Sequence, residues 1–161
     1  MTTGATVAAP VRVHRRAAPG LRTLARGPSG RDAPQVRVRE VMSDPVLVVA
    51  LGSTVRDAAA VLAAHGLSEV PVVDERDRFV GMLTEADLVP DRLEGRRGPA
   101  PSGVGPLVRT DVPTATPDGD LLGLVQRMRE ADVRVVPVLD GDRVAGIVTF
   151  SDLLRVLRDA R

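Results

Sequence analysis

Two stretches of the chain carry the same succession of hydrophobic periods. In the first, Val46-Leu47-Val48-Val49 is a short, largely β-branched run that predicts a buried strand. Gly52-Ser53 supplies a turn and a helix cap. Val55, Ala58, Ala59 and Leu62 follow at i, i+3, i+4 and i+7, the spacing of one helical face. His65-Gly66 ends that helix, glycine suiting the left-handed stop and histidine the negative helix end. Apolar runs at 70–73 and 79–83 predict two strands around the charged turn 74–77, and Thr84 opens a second, short helix. The unit reads β-α-β-β-α. In the second stretch, 112–116 predicts the leading strand and Pro117-Asp118-Gly119 the turn and cap. A helix over 121–131 ends at Asp132, strands follow at 135–139 and 144–148, and 151–160 closes as a helix amphipathic through Leu153, Leu154 and Leu157.

The correspondence extends to individual residues. Gly81-Met82-Leu83-Thr84-Glu85-Ala86-Asp87 returns 65 positions later as Gly146-Ile147-Val148-Thr149-Phe150-Ser151-Asp152, and Leu88 and Leu153 come next. Helix positions Val55, Ala58, Ala59 and Leu62 map 66 positions on to Leu121, Leu124, Val125 and Met128, and Pro71 and Asp74 to Pro137 and Asp140. One residue is lost in the second hairpin. This is an internal duplication. Each copy of roughly 50 residues is small for a stable core of its own, so the expectation is that two copies pack sheet against sheet about a pseudo-twofold axis and share one.

Flanking composition differs. The first 35 residues are rich in Ala, Pro, Gly and Arg without sustained periodicity, and are read as a disordered tail. Residues 90–106 are read as a flexible linker from their Gly and Pro content. Domain bounds are thus 1–35 for the tail, 36–93 and 105–161 for the repeats. All 22 basic residues are arginine, and through residue 31 six arginines face no acid, leaving 16 arginines against 21 acids in the rest. A basic tail precedes a mildly acidic body, which makes nucleic acid an unlikely partner except through the tail. Two Phe, no Tyr and no Trp leave little to stack bases on. No apolar run approaches the roughly 18 residues of a membrane span or the length of a secretory signal, so no membrane partner is expected and the cytoplasm is the expected compartment.

Catalytic chemistry finds little support. With no cysteine, and with His14 in the tail and His65 at a helix end, neither a metal centre nor a nucleophilic constellation can be assembled. The expectation is a protein that is not an enzyme, with no catalytic residue, no metal and no resident cofactor.

Val-Pro-Val-Val-Asp followed by Gly-Met-Leu-Thr-Glu-Ala-Asp-Leu, and Val-Pro-Val-Leu-Asp followed by Gly-Ile-Val-Thr-Phe-Ser-Asp-Leu, resemble the CBS domain, named after cystathionine β-synthase. The resemblance covers about 36–93 and 105–158, and implies a stand-alone tandem pair, or Bateman module, of α+β class. It implies a regulatory, energy-sensing protein that binds AMP, ADP, ATP or S-adenosylmethionine in clefts made by both repeats. The module would form a homodimer and signal to a regulated partner. Thr84, Asp87, Thr149 and Asp152 would hold phosphate and ribose. One cleft would join Thr149 and Asp152 to Leu67, Ser68, Glu69 and Leu47. The other would join Thr84 and Asp87 to Val133, Arg134, Val135 and Pro113, with Arg134 placed where the family often carries a phosphate-binding base.

Physical chemistry supports two readings of Thr-x-x-Asp. A threonine N-cap with a carboxylate three residues on forms a capping box, which is purely structural. The same helix start offers free N–H groups to a phosphate, and an ionised Asp can accept both hydroxyls of a ribose. Gly81 and Gly146 would be small to let a ligand or a neighbouring strand come close. The alternative function is a ligand-free scaffold acting through protein–protein contacts.

Overall fold

The structure, a computed structural model, describes residues 11–14, 35–44, 46–89 and 102–159. Six strands and four α-helices follow one another as β1 (Val11–His14), β2 (Val46–Ala50), α1 (Val55–His65), β3 (Glu69–Val73), β4 (Phe79–Thr84), α2 (Glu85–Leu88), α3 (Leu121–Glu130), β5 (Val135–Asp140), β6 (Arg143–Thr149) and α4 (Phe150–Asp159). One sheet runs in the order β1-β2-β3-β4 and a second pairs β5 with β6. β2 lies parallel to β3, with Val49 opposite Val72, and β3 lies antiparallel to β4, with Glu69 opposite Thr84. The described residues divide into two compact units, one gathering those of 11–14, 47–112 and 141–144, the other those of 35–46, 113–140 and 145–159.

Each unit gathers a hydrophobic core of its own. In the first unit Val49, Ala58, Val61, Leu62, Val70, Val72, Leu83 and Leu88 pack with Val104. In the second Ala115, Leu121, Leu124, Met128, Val136, Val138, Val148 and Leu153 pack with Val38 and Val41. What completes each core is the segment that leads into the other repeat. Residues 102–108 carry Val104, Leu107 and Val108 at i, i+3 and i+4 onto the first unit. Val38, Val41 and Met42 do the same for the second. Each segment includes a 3-10 turn, Val38–Glu40 in one case and Gly105–Leu107 in the other.

The flexible linker therefore ends earlier than its composition indicated. Residues 90–101 lie outside the described residues, but Val104 is fully buried, and its N–H donates to the Ser53 carbonyl at 3.0 Å. The tail, too, holds a strand: Val-Arg-Val-His at 11–14 has the period of two that a strand needs and joins the edge of the first sheet. The rest of the tail, 1–10 and 15–34, lies outside the described residues.

Local deviations have local causes. The caps are Thr54, whose Oγ1 accepts from Asp57 N–H at 3.1 Å, and Asp120, whose Oδ2 accepts from Gly123 N–H at 2.8 Å. Each lies one residue after the predicted turn, because a cap side chain must reach the N–H three positions on. Ala59 is exposed and Val61 buried, so the apolar stripe of α1 leans by one position. Leu154 is exposed while Leu153 is buried. The predicted strand at 112–116 contributes only the bridge Ala115·Val138, since Pro113 and Pro117 remove donors on either side. Gly66 does stop α1 in the left-handed region, at φ 62°.

The closest packing falls on the duplicated glycines. The backbone of Arg109 pairs with Met82 in the first unit, N–H to carbonyl in both directions at 2.9 Å. Ser43 pairs with Ile147 in the second, at 2.8 and 3.2 Å. A Cβ at Gly81 would overlap the Arg109 carbonyl oxygen and sit 2.7 Å from Val108 Cγ1. At Gly146 it would meet Met42 Sδ at 2.8 Å and the Ser43 carbonyl oxygen at 3.1 Å. Of the two reasons for a small residue, the neighbouring strand is the one these contacts supply.

Gly81→Ala is expected to cost about 1–3 kcal/mol through this overlap. Gly105→Ala, with nothing within 4 Å of the added carbon, should stay within ~0.5 kcal/mol of wild type. Equilibrium urea unfolding of the two variants checks the contrast.

Candidate functional site

Both Thr–Asp pairs sit where a strand becomes a helix. Thr84 ends β4 and caps α2: its hydroxyl donates to Asp87 Oδ2 at 2.6 Å, its N–H donates to the same oxygen at 3.1 Å, and Asp87 N–H donates to Thr84 Oγ1 at 3.2 Å. Thr149 and Asp152 repeat this at 2.9, 2.8 and 3.2 Å. The capping box is fully formed in both copies.

What holds the second carboxylate oxygen differs. Asp87 Oδ1 accepts from Arg109 Nε at 3.1 Å and Nη2 at 2.7 Å. Asp152 Oδ1 accepts from the Ser43 hydroxyl at 2.9 Å and from Arg155 Nη2 at 3.0 Å. Ser43 and Arg109 are 66 positions apart, the offset of the duplication, so one place in the fold carries a hydroxyl in one copy and a guanidinium in the other. Exposure differs with it. The Asp152 side chain is 6% exposed, whereas that of Asp87 is 15% exposed and its partner Arg109 58%. Four donors fill the acceptor positions of each carboxylate.

A third charge lies beside the first pair. Glu69 is half-buried on β3, opposite Thr84. Burial pushes its carboxyl above the ordinary range, the Arg109 guanidinium pulls part of that back, and the Asp87 charge adds to the rise. Burial acts upward on Asp87 too, but the hydrogen bonds from Arg109 and Thr84 outweigh it and hold that carboxyl low. The Arg109 guanidinium is raised by its hydrogen bond to Asp87.

The predicted site residues divide by unit. Leu47, Leu67, Ser68 and Glu69 belong to the first, with Thr84 and Asp87; Pro113, Val133, Arg134 and Val135 belong to the second, with Thr149 and Asp152. Inside each unit the segment before the proline meets its own Thr–Asp helix. The Ser68 carbonyl accepts from Glu85 N–H at 2.9 Å, and the Arg134 carbonyl from Phe150 N–H at 3.2 Å. Side chains of Ser68 and Arg134 are exposed, Leu67 and Val133 pack against their cores, and Leu47, Pro113 and Val135 are half-buried. The helix-start seat for phosphate is weak at α2, which has four residues and whose Glu85 and Asp87 N–H groups are already bonded. Among the described residues no group of three or more His, Asp or Glu side chains is placed to hold a metal. No described helix is long and apolar enough to cross a membrane.

Sequence reasoning passed over Arg109, Ser43 and Arg155. The 66-residue offset already aligned the first two, but nothing placed them opposite the glycines until the backbone bridges did.

Asp152→Ala strips the partner from a buried N–H and two hydroxyls and is expected to destabilise by about 1–3 kcal/mol in urea unfolding. The Asp87–Arg109 pair has a pH signature. Its stabilisation is present above the unfolded carboxylate value of about 4 and is lost as pH falls through the lower folded value. Arg109→Gln should therefore be less stable than wild type at neutral pH, with the gap in Tm closing as pH falls past the ordinary carboxylate range and through the depressed range of the folded Asp87.

The CBS domain family profile matches residues 38–91 and 104–159. Among curated relatives, hypoxic response protein 1 of Mycobacterium tuberculosis is 31% identical over 119 residues, covering 74% of this chain and 83% of its own. The CBS domain-containing protein YhcV of Bacillus subtilis is 30% identical over 117 residues, covering 72% and 81%. Among solved structures, the CBS domain pair of protein MJ0100 in complex with 5′-methylthioadenosine and S-adenosyl-L-methionine superposes with a TM-score of 0.68 at 27% identity, covering 80% of this chain and all of that one. The chain belongs to the CBS domain family and carries two such domains in tandem.

Proposed function

We propose that the protein is a non-catalytic regulatory module that binds an adenosine-containing ligand, AMP, ADP, ATP or S-adenosylmethionine, at the Thr–Asp motif of at least one unit. The observation that carries this reading is the repetition of one arrangement, strand end, threonine and carboxylate, in both copies. Capping accounts for each motif alone; a shared ligand chemistry accounts for their being kept alike through the duplication. The likeness to a CBS pair crystallised with two adenosyl compounds supports the same ligand class. Binding would act by favouring one arrangement of the module over another, read by a regulated partner and by a second copy of the chain in a homodimer. The cytoplasm, where adenosyl compounds are made and used, is the compartment that goes with this reading.

The scaffold reading has one observation in its favour: every acceptor position on Asp87 and Asp152 is filled without a ligand. Thermal unfolding against AMP, ADP, ATP, S-adenosylmethionine and GTP separates the two. At 100 times its Kd a ligand stabilises by about 2.7 kcal/mol, on the order of 10 °C for a protein of this size. A shift with one adenosyl compound, absent with GTP and lost in Asp87→Asn, is the expected result. No shift with any of the five favours the scaffold.

A further inference from the structure

The two motifs present the same atoms to a ligand under different locks. For a ribose to reach either aspartate, a donor must leave one of its oxygens. The threonine N–H cannot leave without undoing the strand end, so Oδ1 is the oxygen that can be freed. At Asp152 that oxygen is held by Ser43, a short side chain on a backbone pinned to Ile147 in both directions, and by Arg155 from the same helix. The Arg155 side chain is 52% exposed and could swing away, but Ser43 would still hold Oδ1, and only 6% of the Asp152 side chain is exposed. At Asp87 both donors on Oδ1 belong to one flexible side chain, and that guanidinium already faces water.

We propose that Arg109 is a displaceable plug on Asp87 that determines specificity in the first unit, admitting an adenosine that carries a single phosphate and disfavouring both the uncharged nucleoside and the triphosphate. The inference rests on the adenosyl reading and narrows it. When the ribose diol takes Oδ1, the guanidinium loses a bidentate, charge-assisted partner. A phosphate replaces that partner with the same fork geometry, so both ends of the broken pair are satisfied again. Adenosine satisfies only the carboxylate. Glu69 sets the upper limit: it stands opposite Thr84 across the β3–β4 pair, half-buried and within the field of Arg109 and Asp87, so each further negative charge on the ligand meets repulsion there. The second unit has serine in the equivalent place and so lacks this plug.

Isothermal titration of the full chain with adenosine, AMP and ATP tests this in wild type, Arg109→Ser, Glu69→Gln and Asp87→Asn. Arg109→Ser installs the residue found at position 43, and its Tm is measured first; Arg109→Gln reads the same ratio should the serine variant not fold. In wild type, AMP should bind roughly tenfold tighter than adenosine, the scale of one charge-assisted contact. In Arg109→Ser the preference should collapse to within about threefold, by weaker AMP binding and stronger adenosine binding together. Glu69→Gln should raise ATP affinity relative to AMP. An AMP-to-adenosine ratio unchanged in Arg109→Ser overturns the plug while leaving the adenosyl reading standing, provided Asp87→Asn still abolishes binding. No binding of any of the three compounds to wild type or to either Arg109 variant overturns the plug, and the adenosyl reading falls with it when ADP and S-adenosylmethionine also leave the Tm unchanged.

Discussion

The constraint on which most of this structure depends is the backbone bridge beside each duplicated glycine. Arg109 pairs with Met82, and Ser43 with Ile147, each through two hydrogen bonds. Strands run about 4.8 Å apart, and a crossing segment can come closer only where no Cβ intervenes. Gly81 and Gly146 supply that gap: an added Cβ would overlap the Arg109 carbonyl oxygen at the first and crowd Met42 Sδ and the Ser43 carbonyl oxygen at the second. Once the segment is laid there, its apolar residues have a fixed place to go. Val104 is carried into the first core and Val38 into the second, both fully buried. The bridge thus sets the packing and, by the same stroke, delivers residues 43 and 109 to the carboxylates.

That geometry explains why copies too small to stand alone acquire cores. Each repeat supplies a helix, a hairpin and a strand or strand remnant, and lacks a cover for the exposed side of its own cluster. The segment ahead of the other repeat provides it, three apolar residues at i, i+3 and i+4 in each case. A chain cut between the repeats would separate each core from its cover. The duplicated unit is therefore a unit of sequence, and the folding unit is assembled from two places in the chain.

Much of this was legible in the sequence because it is written in local periods. The stop at Gly66, the hairpins, the strand before each Thr–Asp pair and the face of α3 all follow from spacing and turn chemistry within a dozen residues, and that of α1 does so to within one position. What was not legible depends on partners far along the chain. Val104 lies in a stretch whose Gly and Pro content signals a linker, and only its distant contact with Ser53 orders it. Val11–His14 is too short a run to stand out from an arginine-rich tail, yet it has a strand edge to join. The strand expected at 112–116 is reduced to one bridge by Pro113 and Pro117, whose missing donors a hydrophobic period does not register. Of the site, Thr84, Asp87, Thr149 and Asp152 were visible through repetition, whereas the donors on their outer oxygens were not.

Duplication begins with two identical sites, and divergence then shows in what each position tolerates. Ser43 and Arg109 answer the same steric demand, since both sit on backbone pinned beside a glycine. They differ in charge and reach. Serine gives a neutral donor that closes over a buried carboxylate and adds no charge of its own. Arginine gives a long cationic arm that can hold the carboxylate and also let it go. Glu69 sharpens the difference: it stands opposite Thr84 on β3, where the Asp87 charge raises its carboxyl and the Arg109 guanidinium lowers it. Residue 134, the counterpart of Ser68, is an exposed arginine in the second unit. The asymmetry the electrostatics create is thus concentrated in the first unit, in three side chains brought together by one strand pairing and one backbone bridge. A carboxylate oxygen whose every donor sits on one departing side chain is the one suited to exchange a partner, and of the two motifs that oxygen is Asp87 Oδ1, since Ser43 stays on Asp152 Oδ1 when Arg155 leaves.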